Sequence, residues 1–225
     1  MKATPLDLVV LAAFPPELAS FRNLFGDSML GGVGRWTVAA RAVGIGLADA
    51  AVGTAKCLAD LRPRAALLVG TVGAYPGSGL AIDEVVVARR VRLVDPSAID
   101  GRSQFPDAMC VSIDADASMA QSFAQTTEAS LVDVATTLAI TVDGTLANRI
   151  RTATGARVEH LEAHAFAVAS VRLGVPFAAV LGIANEVGER AREQWRTHHA
   201  TAAARAGDAV VQWLLGDGLR AVIFG

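Results

Sequence analysis

Residues 8–17 have the sequence LVVLAAFPPE, an apolar run followed by two prolines and a glutamate. An uninterrupted apolar run of this length predicts a strand that is buried on both faces of a sheet, here over residues 8–13. Proline cannot donate to a strand ladder but is accepted in the first turn of a helix, so residues 16–25 are expected to be helical. Glu17 therefore lies just beyond a buried strand, at the edge of the sheet where α/β proteins form their active sites.

The alternation of apolar strands with helical segments continues along the rest of the chain. Further strands are predicted at residues 36–43, 65–69, 84–92, 132–138 and 177–183. Helices are predicted at residues 48–60, 115–125, 162–173 and 197–215, and a short helix is predicted to run toward residue 152 after a turn around residues 143–144. Residues 31–34 are expected to form a hairpin loop, and residues 96–107, rich in Ser, Asp, Gly and Pro, a long surface loop. No internal repeat or linker interrupts the pattern, which predicts one α/β domain over residues 1–225, with helices flanking a sheet.

The composition limits the classes of function. Hydrophobic residues make up 52% and charged residues 19% of the chain, which supplies a packed core and excludes a disordered protein. The net charge of -2 provides no basic surface, so neither nucleic acid nor a membrane is an expected partner. The apolar run at residues 8–14 is too short to cross a bilayer and lacks the cationic flank of a signal peptide. Cys57 and Cys110 form no CxxC motif and are expected to be reduced core thiols of a cytoplasmic protein.

Two glycine-rich motifs have an ordinary explanation. Gly44-Ile45-Gly46 precedes a predicted helix, as a phosphate-binding turn would, but Asp49 stands where the dinucleotide fingerprint needs a third glycine or an alanine. Gly77-Ser78-Gly79 lacks the spacing of a nucleophile elbow. Ordinary turns account for both motifs, so neither a dinucleotide cofactor nor a serine hydrolase is predicted.

One pair of histidines has a spacing that could bind a metal ion. His160 and His164 are four residues apart on a predicted helix, a spacing that can present two imidazoles to one metal ion. Their order with Glu162, His-Leu-Glu-Ala-His, differs from the His-Glu-x-x-His of zinc peptidases, and no third ligand is evident. Both are interpreted as ordinary partly buried or surface histidines, and no metal site is predicted. His198 and His199 lie in a polar helical stretch and are expected to face water.

Polar residues that follow buried strands are the strongest candidates for a site. Glu17 follows the first strand, the Gly-Thr-Val-Gly stretch at residues 70–73 follows another, and Asn185 and Glu186 follow a third. Glycine lets backbone groups approach a ligand closely. Each feature alone is explained by a helix cap or a solvated loop. Together with Glu162, they predict polar groups that converge beyond the strand ends.

These segments resemble the nucleoside phosphorylase and nucleosidase family, in register over residues 8–195. The stretch AFPPEL at residues 13–18 is similar to the segment that carries the hydrolytic glutamate of nucleosidases, and residues 43–51 to the family's Gly-Ile-Gly helix start. Residues 69–73 resemble the base-site loop, residues 161–163 the Met-Glu-Ala ribose motif, and residues 182–185 the segment that binds the purine. The resemblance implies a three-layer αβα sandwich with a central mixed, twisted sheet, and neither a metal nor an organic cofactor.

Within this family, residues 73–81 (GAYPGSGLA) and 185–195 most resemble futalosine hydrolases, which release hypoxanthine during menaquinone synthesis. Four residues depart from the family pattern. Leu161 replaces a methionine, Ala184 a serine beside the purine-binding residue, Leu181 an arginine, and Ala163 a glycine common in futalosine hydrolases. These differences bear on the identity of the substrate more than on the class of reaction.

The resemblance implies a role for each candidate residue. Glu17 would be the general base, Glu162 would hold the ribose hydroxyls beside the developing cation, and Asn185 would bind the purine. The implied substrate-contacting residues are Thr71, Val72, Gly73, Val142, Leu161, Glu162 and Asn185. An asparagine cannot give N7 a proton, but its paired donor and acceptor suit a 6-oxopurine such as hypoxanthine. Glu186 stays open as an alternative acid.

Several functions remain open at this point. The implied reaction is hydrolysis of futalosine, with a methylthioadenosine/S-adenosylhomocysteine-type nucleosidase, a purine nucleoside phosphorylase and a non-catalytic nucleoside-binding homologue as alternatives. No arginine flanks Glu17 to hold a phosphate, although Arg22, Arg41 and Arg89 keep phosphorolysis open. The expected partners are a purine nucleoside and further copies of the chain, because relatives are usually homodimers or larger. Residues 48–58 are the candidate interface, and residues 96–107 the candidate lining for the ribose 5′ substituent.

Overall fold

A computed structural model describes residues 6–224 of the chain. The strands are β1 (Leu8–Ala12), β2 (Leu30–Val33), β3 (Trp36–Ala42), β4 (Ala65–Ala74), β5 (Val85–Leu93), β6 (Ser112–Asp114), β7 (Ser130–Thr136), β8 (Val158–Glu159) and β9 (Phe177–Glu186). The α-helices are α1 (Ala19–Phe25), α2 (Leu47–Leu61), α3 (Pro96–Ile99), α4 (Ala117–Thr127), α5 (Gly144–Thr154), α6 (Ala163–Arg172), α7 (Ala191–Leu215) and α8 (Arg220–Phe224). A 3-10 turn at Pro15–Leu18 joins β1 to α1, with proline in its first positions. None of the helices in the described range is long and apolar enough to cross a membrane.

The strands form one mixed sheet with helices packed against it, which confirms the predicted fold. β1 pairs in parallel with β3 and β4, and β2 is an antiparallel edge strand on β3. β9 pairs in parallel with β4 and antiparallel with β5, so that β4, β9, β5, β7 and β8 pair in a closed ring. The carboxyl end of β4 therefore lies between β8 and β9, and both neighbours contribute side chains to it.

Strands β4 and β9 are longer than the sequence predicts. Residues 70–73 and Asn185 were expected to follow their strands, but β4 runs to Ala74 and β9 to Glu186. Glycine is depleted in strands, so the pattern indicated an end at Gly70. The ladder between the two strands overrides this preference and continues past a register shift between Val72 and Gly73. The polar groups at these positions are consequently held by a sheet rather than by a loop.

Two glycines let helices lie directly on the sheet. A Cβ atom on Gly182 of β9 would lie 2.0 Å from the carbonyl oxygen of Ala202 in α7. A Cβ atom on Gly53 of α2 would lie 2.0 Å from the carbonyl oxygen of Val43, just after β3. No side chain fits either gap, so both helices approach the strands more closely than any other residue would permit.

Smaller differences from the sequence predictions concern loops and cysteines. Residues 31–33 belong to β2, and the hairpin turn is limited to Gly34, with φ of 59°, and Arg35. The predicted loop at residues 96–107 begins with the short helix α3, whose N-cap Asp95 accepts a hydrogen bond from the N–H of Ser97. Both cysteines are free thiols, but Cys110 is exposed rather than in the core.

Candidate active site

Glu17 lies in the 3-10 turn after β1 and is 5% exposed. Its Oε1 accepts hydrogen bonds from the N–H and the hydroxyl of Thr71, at 2.9 and 3.1 Å. Its Oε2 accepts the N–H of Ala13 at 3.2 Å. Burial raises the pKa of Glu17 to about 7. The hydrogen bonds from Thr71 lower this pKa, and the nearby Glu162 carboxylate has a smaller effect that raises it. A carboxylate with this pKa can accept a proton near neutral pH.

Glu162 directly precedes α6 and is also 5% exposed. Its Oε1 accepts the N–H of Gly46 at 2.7 Å. The Nδ1 atom of His160 accepts the N–H of Glu162 at 3.1 Å and lies 3.2 Å from its Oε2. Burial lowers the pKa of His160, so its ring is neutral at physiological pH. The ring therefore orients the start of α6 without cancelling the negative charge of the Glu162 carboxylate.

The histidines differ from their predicted positions. His160 and His164 do not share a helix, because α6 begins at Ala163, and both are buried. The Nε2 atom of His164 lies 2.9 Å from the carbonyl oxygen of Cys110. His199 does not face open water but stacks on Trp195 with ring centroids 4.3 Å apart. Within residues 6–224, no group of three or more His, Cys, Asp or Glu residues is arranged to hold a metal ion.

Asn185 faces Gly73 across the β4–β9 ladder and is 8% exposed. Its Nδ2 donates to the carbonyl oxygen of Glu186 at 3.0 Å, which leaves a second amide hydrogen and the amide oxygen for a ligand. A Cβ atom on Gly73 would lie 2.8 Å from this Nδ2, so the glycine makes room for the amide. The side chain of Glu186 is on the exposed side, away from this buried amide.

The carboxyl end of β4 brings these groups together. The Glu17 carboxylate packs on Gly70 and Thr71, whereas Asn185 packs on Gly73. On the opposite edge, Gly73 pairs with Glu159 of β8, and the chain continues from there to Glu162. The structure thus places Glu17, Thr71, Glu162 and Asn185 at one end of the sheet.

The structure also contains an apolar groove of about 490 Å³. It is lined by Leu47, Leu93, Val94, Asp95, Pro96, Phe105, Thr137, Leu138, Ala139, Ile140, Thr141, Val142, Asp143 and Leu146. Leu47 follows Gly46, the donor to Glu162, which connects the groove to that carboxylate through the backbone, but Glu17, Thr71, Glu162 and Asn185 are not among its lining residues. Val142 lines it and is 63% exposed, and Leu161 is half-buried. Val72 differs from the expectation, because its side chain lies in the hydrophobic core and only its main chain can contact a ligand.

Glu159, which the sequence pattern did not indicate as a site residue, is 7% exposed. It accepts the N–H and the hydroxyl of Thr141, at 3.0 and 2.6 Å, and the hydroxyl of Tyr75 at 2.9 Å. Its bonds attach residues 137–143, one wall of the groove, to β8. The sequence signal for it is weak, since Glu159 stands among Arg157, Val158 and His160 and only its place three residues before Glu162 is suggestive. Buried carboxylates are rare unless they are bonded.

Trp195 ends the stretch that resembles futalosine hydrolases, but the resemblance implies no role for it in the site. Its Nε1 donates to the Thr71 hydroxyl oxygen at 3.1 Å, and its ring lies 6.2 Å from that of Phe14. Helix α7 begins at Ala191, before the predicted start at residue 197, and carries Trp195 in its first turns. The polar sequence at residues 189–196 has no apolar periodicity, which concealed the beginning of the helix.

The arginines that kept phosphate binding open have other partners. Arg22 pairs with Asp27 at 3.4 Å, Arg41 donates to the carbonyl oxygens of Met29 and Ala40 at 2.9 and 2.7 Å, and Arg89 pairs with Asp133 at 2.8 Å. The cluster therefore contains two buried carboxylates and no contribution from these three cations. Such a site attracts developing positive charge and repels an anion.

Solved structures with this fold include several nucleosidases. The 5′-methylthioadenosine/S-adenosylhomocysteine nucleosidase of Neisseria meningitidis, in complex with methylthio-immucillin-A, is 18% identical with a TM-score of 0.83, over 94% of this chain and 99% of that one. Futalosine hydrolase of Helicobacter pylori is 16% identical with a TM-score of 0.82, over 93% and 97% of the two chains. The nucleosidase of Colwellia psychrerythraea, in complex with adenine, is 19% identical with a TM-score of 0.81, over 94% and 95%. At these identities the similarity establishes the fold and not the substrate.

No curated protein sequence matches the chain. A family model does, and it covers nearly the whole sequence: that of the phosphorylase superfamily matches residues 3–214. The matched range contains Glu17, Thr71, Glu162, Asn185 and Trp195. The chain therefore belongs to the phosphorylase superfamily.

Proposed function

We propose that this protein is a nucleosidase that hydrolyses the N-glycosidic bond of a purine nucleoside, with futalosine as substrate and hypoxanthine as the released base. The observation that carries the proposal is the pair of buried carboxylates, Glu17 and Glu162, at the end of the sheet that also holds the Asn185 amide. Family membership supports the reaction class. The solved structures that share the fold include both a futalosine hydrolase and methylthioadenosine nucleosidases.

Glu162 is assigned to the ribose. Cleavage of the bond places positive charge on the sugar, so a negative group beside it stabilises the transition state more than the ground state. The carboxylate is fixed by the 2.7 Å bond from Gly46 and is not neutralised by His160. Hydrogen bonds from ribose hydroxyls to such a carboxylate are worth about 1.5–3 kcal/mol each.

Glu17 is assigned to the attacking water. The water oxygen bonds to C1′ as the bond from C1′ to the purine nitrogen breaks, and the ionised Glu17 takes the water proton. The pKa of about 7 makes this carboxylate a stronger base than an exposed glutamate while leaving it largely ionised above neutrality. A general base in this position contributes a rate factor of about 10²–10⁴.

Asn185 is assigned to the purine. The second hydrogen on its Nδ2 and its amide oxygen are a neighbouring donor and acceptor. A 6-oxopurine offers acceptors at N7 and O6 and a donor at N1, which matches this pair. An amide gives no proton, so the base leaves hydrogen-bonded and takes its proton from solvent. The same donor and acceptor could also pair with N7 and N6 of adenine, so the preference for hypoxanthine rests on the resemblance of residues 73–81 and 185–195 to futalosine hydrolases.

Water is favoured over phosphate as the nucleophile. The N–H groups of Ala13 and Thr71, which would otherwise attract an oxyanion, already donate to Glu17. A phosphate beside Glu17 and Glu162 would meet two like charges in a buried site, where the repulsion is weakly screened. These contacts support hydrolysis and oppose phosphorolysis.

The apolar groove, which Val142 lines, is assigned to the rest of the nucleoside, and Leu161, next to Glu162 in sequence, is assigned to the ribose. Several large apolar side chains that line it are exposed, namely Leu138 by 81%, Ile140 by 59% and Val142 by 63%. Ile45, just before α2, and Val52 of α2 are exposed by 62% and 72%. Exposed apolar residues grouped in this way are typical of an interface. We infer that a second copy of the chain covers them, which light scattering coupled to size exclusion tests. The free thiols of Cys57 and Cys110 are compatible with a cytoplasmic enzyme.

The decisive experiment measures base release from futalosine, inosine and methylthioadenosine, each with and without inorganic phosphate. Hypoxanthine released from futalosine at equal rates in both buffers is the expected result. Release that requires phosphate identifies a phosphorylase, and preferential release of adenine from methylthioadenosine identifies the alternative nucleosidase. Nucleoside binding by calorimetry without turnover identifies a non-catalytic homologue. Each of these three results contradicts the proposal.

A further inference from the structure

A chain of two hydrogen bonds leads from Trp195 to Glu17. The indole Nε1 donates to the Thr71 hydroxyl oxygen at 3.1 Å, and the same hydroxyl donates to Glu17 Oε1 at 3.1 Å. An indole N–H is a donor only, whereas a hydroxyl has one proton and two lone pairs. Trp195 can only donate, so it occupies one lone pair of the Thr71 hydroxyl, and in this arrangement the Thr71 proton is directed at the carboxylate.

We propose that Trp195 is a positioning residue, which acts through the Thr71 hydroxyl to keep Glu17 ionised and correctly oriented as the base. This inference rests on the function proposed for Glu17. Trp195 itself is held on two sides: its ring lies 6.2 Å from that of Phe14 and stacks on His199, whose Nδ1 is 3.0 Å from the Trp195 carbonyl oxygen. The indole is therefore an anchored donor.

The Thr71 hydroxyl opposes the effect of burial on Glu17. A proton directed at a carboxylate stabilises its charged form, and this bond lowers the pKa that burial raises. Neutral Glu17 could donate its proton to Thr71 only if the Thr71 hydroxyl proton pointed away from the carboxyl group. Both lone pairs of the Thr71 oxygen would then be occupied, one by Trp195 and one by Glu17. Trp195 thus favours the state in which Glu17 is the acceptor.

The surrounding charges do not supply an alternative explanation. The turn that carries Glu17 packs against β1, β3, β4, α1 and α7, and β1 and β4 contain no ionisable residue. Glu162 is the charged neighbour that acts on Glu17, and its charge raises the pKa of Glu17. Arg41 of β3 and Arg22 of α1 have the partners given above. On α7, three charged side chains are exposed (Arg192, Glu193 and Arg196), and two histidines are half-buried (His198 and His199). Arg205 donates to the carbonyl oxygen of Asp83, and Asp208 accepts from the hydroxyl of Ser20.

The test is the variant Trp195→Phe, which keeps an aromatic ring between Phe14 and His199 and removes the N–H. The acid limb of the pH profile of kcat/KM is expected to move upward by about 0.5–1 pH unit, the shift that corresponds to one ordinary hydrogen bond. Trp213→Phe is the matched control, because Trp213 is on the same helix and donates to the Ser122 hydroxyl at 3.0 Å. It is expected to lower stability and leave the acid limb in place.

A double-mutant cycle with Thr71→Val separates positioning from packing. If Trp195 acts through the hydroxyl, Trp195→Phe shifts the acid limb in the native background and has no further effect on it in Thr71→Val. Thr71→Ser, which retains the hydroxyl, is expected to restore the native profile. An equal shift in both backgrounds, or no shift in either, overturns the proposal.

A measurement on the free protein keeps this inference distinct from the proposed function. The pKa of Glu17 can be followed by carbon-13 NMR of its carboxyl group, assigned with Glu17→Gln, without any turnover. A higher pKa in Trp195→Phe than in the native protein supports the positioning role even if no nucleoside is cleaved. An unchanged pKa rejects it even if futalosine proves to be the substrate.

Discussion

The N–H of Gly46 donates a 2.7 Å hydrogen bond to Oε1 of Glu162, joining residues that are 116 positions apart in sequence. This bond connects the turn before α2 with the turn before α6. Gly46 has φ of 84° and ψ of 167°, a conformation essentially restricted to glycine. The Gly-Ile-Gly turn therefore holds a carboxylate of the protein itself.

Gly46→Ala is expected to release the Glu162 carboxylate. A Cβ atom at this φ strains the turn and displaces the N–H, and loss of one bond to a charged group lowers kcat/KM by about 10- to 100-fold. Gly26→Ala is the matched control, because Gly26 has φ of 61° and ψ of -154° and likewise has no atom within 4 Å of its added Cβ. Steady-state kinetics and chemical denaturation should show similar stability losses for both variants but a kinetic loss only for Gly46→Ala. Equal kinetic losses would contradict a specific role for the bond.

Catalysis is expected to increase with pH through the ionisation of Glu17. The base must be charged to accept a proton, so kcat/KM should fall about tenfold for each pH unit below the pKa. Burial sets that pKa to about 7. A kcat/KM profile measured from about pH 5 to about pH 9 checks this, with Glu17→Gln expected to lose both the acid limb and about 10²–10⁴ of the rate. A native profile with its midpoint near the ordinary glutamate value would show that another group limits the reaction.

The stability of the protein is expected to change with pH in the opposite direction. The pKa of Glu17 is raised from 4.5 to about 7 on folding, so the native state binds this proton more tightly than the unfolded state. The resulting stabilisation is complete at pH values below the unfolded-state pKa of 4.5. It is lost as the pH rises through the folded-state pKa of about 7. At 1.36 kcal/mol per pH unit, the loss amounts to about 3 kcal/mol. Urea denaturation at several pH values should show this decrease in the native protein and not in Glu17→Gln.

The elements of the fold were largely predictable, because continuous apolar strands and amphipathic helices each have a distinct period. The run at residues 8–13 identified β1, and Pro15 and Pro16 marked the turn that carries Glu17. The extension of β4 through Gly70 and Gly73 was not predictable, since it depends on pairing with β9, a segment about 110 residues away. Local preference disfavours a strand there, and the tertiary ladder overrides it.

The site was predictable only as a set of residue types. The sequence indicated Glu17, Glu162 and Asn185 from their places near strand ends and from the resemblance. It gave no indication of what orients them, because Gly46 acts through a backbone N–H and Trp195 through a hydroxyl on another strand. Contacts of this kind join distant segments and leave no local pattern.

Gly182→Ala is expected to disrupt the packing of α7 on β9. The new methyl group would lie 2.0 Å from the Ala202 carbonyl oxygen, so either the helix or the strand must move. Overpacking of a rigid core costs about 1–3 kcal/mol, and backbone contact places this site at the upper end. Gly32→Ala in the edge strand β2 is the control, because the nearest atom to its Cβ would be 3.9 Å away. Denaturation midpoints that fall equally in both variants would argue against close packing at Gly182.

Glu159 is expected to govern substrate affinity rather than the chemical step. Its three hydrogen bonds all run from donors to the carboxylate, two from Thr141 and one from Tyr75. Burial and the charge of Glu159 raise the pKa of Tyr75, so its hydroxyl remains a donor at every physiological pH. Glu159→Gln places an amide hydrogen against these donors, which should loosen residues 137–143 and the wall of the groove that contains Val142.

The expected result for Glu159→Gln is a KM raised about tenfold with kcat changed by less than about threefold, because the contact removed acts on bound substrate and transition state alike. Tyr75→Phe removes one donor of the three and should give a smaller rise in KM. Asp133→Asn is the control, since Asp133 is equally buried, at 6% exposed, but bonds to Arg89 and Arg92 rather than to the groove. It should lower stability without changing KM. A fall in kcat at constant KM in Glu159→Gln would instead place this carboxylate among the groups that act on the transition state.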